Sequence, residues 1–124
     1  MFKATVLNIK THQNLFEIQL SSELGELYML SLELDEYIQN GKEVMLGFKS
    51  SDLILSTGHP DISTRNCFLA KVQSVEKGEL ISVINLKAND FKFDTMISSN
   101  LVPKIKDELY VILGETSLYI SEIL

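Results

Sequence analysis

The sequence predicts an all-β protein with short helical turns, built as two tandem OB-type barrels. Three observations predict it. Apolar and polar residues alternate over short runs, the chain repeats itself, and a turn-rich connector separates the repeats. The repeat is visible at a shift of 66 residues, which places Phe2, Ala4, Val6, Ile18 and Leu20 on Phe68, Ala70, Val72, Ile84 and Leu86. Further along, a shift of 65 places Glu43, Val44, Leu46, Phe48, Leu53, Leu55 and Ser56 on Glu108, Leu109, Val111, Leu113, Leu118, Ile120 and Ser121.

In the first repeat the period-two pattern predicts strands over 2–6, 16–20, 28–32, 43–48 and 53–56. A short helical turn is expected over 34–39, ended by Asn40-Gly41. The second repeat predicts strands over 68–75, 80–86, 91–97, 108–113 and 118–121. Five short strands and one helical turn per repeat make an OB-type barrel. The division is therefore a first unit at 1–56, a linker at 57–67 and a second unit at 68–124. The linker is dense in turn formers and contains Pro60, which ends regular structure.

Composition narrows the function. The chain has 124 residues, 45% of them apolar, enough to bury a core and too few for a large two-domain enzyme with a cofactor fold attached. Eleven Lys and Arg stand against 17 Asp and Glu, a net charge of −6, which opposes sequence-independent binding of nucleic acid. Cys67 is the lone cysteine and cannot close a disulfide within the chain, so a cytoplasmic location is expected. Asn8, Lys10 and His12 interrupt the apolar start, so it lacks a signal-peptide core, and runs such as 109–113 are far too short for membrane insertion.

Two polar clusters flank the linker: Lys49-Ser50-Ser51-Asp52 and Ser63-Thr64-Arg65-Asn66. Taken singly, either reads as an ordinary turn. Together they offer two fixed positive charges, several hydroxyls and a run of backbone N–H groups. That is the donor set an acceptor-only dianion requires. A pocket of donors without a carboxylate also rejects monohydrogen phosphate, whose proton would find no acceptor.

The segments Phe48-Lys49-Ser50-Ser51-Asp52-Leu53-Ile54-Leu55 and Ser63-Thr64-Arg65-Asn66, the latter followed by the apolar strand 68–75, resemble the molybdate-binding Mop/TOBE family. That family includes the molbindins, the ligand-sensing half of molybdate-responsive regulators and the C-terminal domain of molybdate-transport ATPases. The resemblance spans the chain as two tandem Mop/TOBE-like units, a di-Mop arrangement. It implies a non-enzymatic, intracellular protein that binds molybdate or tungstate as its ligand, serving molybdenum homeostasis, storage or sensing, with a possible association with a molybdate transporter. Sites lie where units or subunits meet, so a homo-oligomer, dimer or higher, is expected.

The oxyanion-binding positions the resemblance implies are Lys49, Ser50, Ser63, Thr64 and Arg65. Lys49 and Arg65 would supply charge, Ser50 and Ser63 hydroxyl or backbone hydrogen bonds, and the Thr64 and Arg65 amides would complete the shell. No side chain is expected to ligate a metal directly. Thr64 stands where the family most often has Ala, and Asn66 matches a position that orders the turn. Ser31, Ser98 and Ser99 are further candidates for a hydroxyl donated from the facing unit. The second repeat departs from the pattern: Gly114-Glu115 stand where Lys49-Ser50 stand in the first, so one full donor set is expected per chain. Glu115 would repel an anion unless turned to water.

Other motifs weigh less. Cys67 with His59 as base would be a nucleophile pair, but position 67 begins an apolar strand, where a free Cys is a small core residue. Neither His12 nor His59 has a second ligand at metal spacing. Gly41-Lys42 is no phosphate loop, because Glu36 occupies the earlier glycine position. Phe91 and Phe93 share a strand face that could stack bases, yet Asp90 and Asp94 bracket them and favour a core role. The alternative to oxyanion binding is a tandem OB-type interaction module or accessory domain that binds a transporter subunit or another protein.

Overall fold

The computed structural model describes residues 1–124, and all ten predicted strands form. They are β1 (Phe2–His12), β2 (Leu15–Ser22), β3 (Gly25–Ser31), β4 (Glu43–Gly47), β5 (Ile54–Ser56), β6 (Asn66–Glu76), β7 (Ile81–Ala88), β8 (Phe91–Ser98), β9 (Glu108–Leu113) and β10 (Tyr119–Ile123). Two curled antiparallel sheets make two OB-like modules, in the orders β10-β4-β1-β2-β3 and β5-β9-β6-β7-β8.

Local sequence sets the curl. The β1–β2 hairpin turns on Gln13 and Asn14, both left-handed at φ 49° and 66°, as a tight primed turn demands. Each long first strand carries a bulge at the same place in the repeat, between Val6 and Asn8 in β1 and between Val72 and Ser74 in β6. The bulge bends the strand, so its first half pairs with β4 or β9 and its second half with β2 or β7. Gly41 adopts φ +88° beside the first bulge and donates its N–H to the Val6 carbonyl at 2.7 Å.

The contiguous division at 56 and 68 is not the division of the sheets. β10 pairs with β4 in the first sheet, and β5 pairs with β9 in the second. The last strands are exchanged between the repeats. Pattern alone could not foresee this, because Leu53-x-Leu55-Ser56 and Leu118-x-Ile120-Ser121 fit either edge equally. A 3-10 turn at Ser50–Asp52 carries the chain from β4 across to β9.

A second correction concerns 34–39, which is not helical. The Asp35 carboxylate accepts the Tyr37 N–H at 2.9 Å, and the Asp35 carbonyl accepts the Ile38 N–H at 3.0 Å. That Asx turn competes with a helix and leaves Ile38 buried. The matching stretch of the second repeat does form a 3-10 turn, Ser99–Lys104.

One core runs through both sheets. Twenty buried residues form a single cluster, and the exchanged strands bring Leu53 and Leu118 into it. Phe91 and Phe93, half-buried, pack against the core, as the acidic bracket suggested: Phe91 lies 5.1 Å from the Phe2 ring, and Phe93 lies 5.9 Å from Phe48 and 6.0 Å from Phe68. Rings from both repeats thus interleave at the seam.

Strand exchange makes a testable statement about cooperativity. Leu118→Ala deletes a buried anchor of β10 and is expected to cost about 2–5 kcal/mol in urea unfolding. Both sheets should unfold in one shifted transition. Two separated transitions, one unmoved from wild type, would contradict a shared core.

Candidate functional site

The two polar clusters end up at different, repeat-related places. Lys49 and Ser50 follow β4, and Arg65 precedes β6; no hydrogen bond or ion pair joins them within the chain. Ser50 matches Glu115 in the repeat, and Asp94 on β8 matches Tyr28 on β3. The predicted donor set is therefore divided between two repeat-related places.

The first station is built on β4 and β8. The Ser50 hydroxyl donates to the Asp94 carboxylate at 3.0 Å, and the Ser50 carbonyl accepts the Thr95 hydroxyl at 2.7 Å. Ser50 lines a small cleft of about 210 Å³ with Met1, Lys92 and Asp94. The Lys49 ammonium is exposed and pairs with no acid.

The second station is anchored by Asn66, which is 0% exposed. Its side chain acts as a strand partner for the edge of β3: the carboxamide oxygen accepts the Tyr28 N–H at 2.7 Å, and the amide nitrogen donates to the Tyr28 carbonyl at 2.8 Å. Asn66 thus bridges to the edge of the other sheet, where the resemblance implied that it orders its own turn. Thr64 adds to it, donating its hydroxyl to the Leu113 carbonyl at 2.8 Å and accepting the Asn66 N–H at 3.2 Å. With that hydroxyl spent, what Thr64 offers a ligand is its backbone N–H. The Thr64 N–H, the Ser63 N–H and the Ser63 hydroxyl donate to no protein group.

Arg65 lies over the Tyr28 ring, 3.8 Å from the centroid. Its donors converge on Glu115: Nη2 at 2.6 Å from Oε1, Nε at 3.1 Å from Oε2 and the backbone N–H at 2.8 Å from Oε2. Nη1 reaches Glu17 at 3.3 Å. Glu115 is thus not turned to water. Its side chain is 9% exposed, and the Leu30 N–H donates to its carbonyl at 2.9 Å. The expected acid-free cationic cage does not exist here in the single chain, because the nearest acid has bound the cation. Hydrogen bonds from Arg65 hold the Glu115 carboxyl below its ordinary value, and those from Glu115 and Glu17 push the guanidinium up.

Of the remaining candidates, Ser31 and Ser99 are spent on structure. The Ser31 hydroxyl donates to the Glu33 carbonyl at 2.6 Å, closing the end of β3. It borders the largest groove, about 760 Å³, whose Glu33, Asp35 and Glu122 make it hostile to anions. Ser99 is buried, 2.7 Å from the Ser82 hydroxyl and donating to the Gly78 carbonyl at 2.8 Å. Ser98 is exposed at the start of the 3-10 turn and caps nothing with its side chain. Burial raises the Cys67 thiol pKa, and His59 packs on Tyr110 at 5.1 Å with no bond to sulfur. Glu17 and Tyr28 were missed. Nothing in the local sequence of β2 or β3 marks them as partners of residues 48 and 38 positions away.

No family model matches the chain, and no curated protein matches it. Among solved structures it is similar to the cytoplasmic molybdate-binding protein ModG, in a PEG-grown crystal form with molybdate bound. The TM-score is 0.86 at 21% identity, over 96% of this chain and 92% of that one.

The clasp has a pH signature. Glu115 titrates in the fold below its ordinary 4.5, so the stabilisation is complete above that value and is lost as pH falls through the lowered folded one. From about pH 6 to about pH 3, wild type should lose about 1 kcal/mol more than Glu115→Gln, a figure kept small because Arg65 is half exposed. Parallel urea-derived stability curves for the two proteins would contradict it.

Proposed function

We propose that this protein is a non-enzymatic, cytoplasmic binder of molybdate or the isosteric tungstate, acting in molybdenum storage, sensing or delivery. The observation that carries the reading is the segment Ser63-Thr64-Arg65, held by Asn66, whose Ser63 hydroxyl and Ser63 and Thr64 N–H groups have no partner in the chain, on a fold shared with a molybdate-binding protein. A tetrahedral dianion accepts hydrogen bonds only, and the Ser63 hydroxyl and these amides can each donate one. Ser63 and the Thr64 and Arg65 amides form one wall of the site.

Lys49 and Ser50 form the other wall, supplied by a neighbouring copy. Within one chain they sit at the opposite, repeat-related station, and Lys49 has no acidic partner to satisfy it. Assembly of identical chains joins the two walls without any new residue, which favours a closed homo-oligomer. Each wall alone is weak: one cation and a few donors against the hydration of a dianion. Joined, they present two cations in a partly desolvated gap, where charge-assisted hydrogen bonds are strongest.

Calorimetric titration with molybdate, tungstate and sulfate tests the reading. Arg65→Ala and Lys49→Ala should each weaken molybdate by about tenfold or more. Mixing the two variants should restore part of the binding, because mixed assemblies rebuild sites with one intact wall from each chain. Unchanged affinity in both variants would reject these residues. Silence toward every oxyanion, with retention of a transporter subunit, would favour the interaction-module alternative.

A further inference from the structure

We propose that Glu115 is an internal oxyanion: its carboxylate fills the Arg65 cradle as a ligand would, and an external dianion binds there only by displacing it. The inference rests on the oxyanion-binding reading and adds the residue that sets its affinity. Three donors of Arg65, the backbone N–H, Nε and Nη2, all end on the two oxygens of Glu115, at 2.8, 3.1 and 2.6 Å. A carboxylate presents two acceptor oxygens on one carbon and can imitate one edge of a tetrahedral oxyanion.

The repeat shows that this carboxylate is not required by the fold. At the matching place in the first repeat stands Ser50, which makes a single hydroxyl contact and lets its strand end in the same way. What holds the 114–117 loop is backbone bonding, Glu115 carbonyl to Leu30 N–H at 2.9 Å and Gly114 carbonyl to Ser117 N–H at 3.0 Å. The Glu115 side chain is free to leave while its backbone stays. Glu17 contacts only Nη1, at 3.3 Å, so it orients the guanidinium without occupying the three donors. The Ser63 and Thr64 donors stay outside the clasp, where an incoming anion can first engage. Binding would then proceed by exchange of one anion for another over the same donors, and the cradle would not stand open to smaller or more weakly held anions.

Sodium molybdate is titrated by calorimetry into the full chain as wild type, Glu115→Gln and Glu115→Ser, with folding checked by thermal melting. Both variants should bind about tenfold more tightly than wild type, since the competitor has lost its charge. Equal or weaker affinity in folded variants overturns the inference and leaves the oxyanion reading standing. No heat from any of the three overturns both. Should the variants not fold, the wild-type chain labelled with carbon-13 decides: the Glu115 carboxyl resonance shifts as molybdate saturates if the side chain is displaced. A resonance that stays fixed while molybdate binds overturns the inference.

Discussion

The N–H and C=O of Tyr28 lie on the outer edge of β3, where a sheet ends and a second sheet begins, and the buried side chain of Asn66 satisfies both. Leaving such a pair unmade at a buried seam would cost about 1–3 kcal/mol for each group. The consequence reaches beyond stability. With Asn66 pinned, the three residues before it have a fixed exit, Thr64 ties to the end of β9, and Arg65 settles on the Tyr28 ring. A polar requirement of the fold thus fixes where the Ser63 and Thr64 donors and the Arg65 guanidinium stand.

Exchange of the last strands gives this seam its rigidity. Because β5 completes the second sheet and β10 the first, neither module closes without the other, and the interleaved phenylalanines fill the gap between them. The two stations are held at repeat-related positions by one continuous core. Divergence between the repeats then differentiates them. One station keeps an unpaired lysine and a serine, and the other has an arginine whose charge an internal acid already meets. Lys49 is one of nine lysines that pair with no acid within the chain.

Much of the fold was legible in the sequence, since period-two runs such as Phe2-x-Ala4-x-Val6 bury one face wherever they pair, and all ten strands follow them. Partner choice was not legible. Leu53 and Leu118 anchor equivalent strands of equal pattern, and which edge each meets depends on three-dimensional reach. The 34–39 turn was misread for a similar reason: Leu34 and Ile38 have helical spacing, but the Asp35 side chain captures the local N–H first. At the site, the donor-rich Ser63–Asn66 segment stood out by composition, and Glu115 by its place opposite Ser50 in the repeat. That Glu115 would bind Arg65, and that Tyr28 and Glu17 would complete its surroundings, depends on contacts across sheets that one sequence does not display.

Diffraction at the molybdenum absorption edge, from crystals grown with molybdate, tests the central claim most directly. The account predicts an anomalous peak against the Ser63 and Thr64 amides, with Lys49 of a neighbouring copy closing over it. A molybdenum position remote from Ser63–Arg65, or fully ligated by a single chain with Lys49 left in solvent, would contradict it.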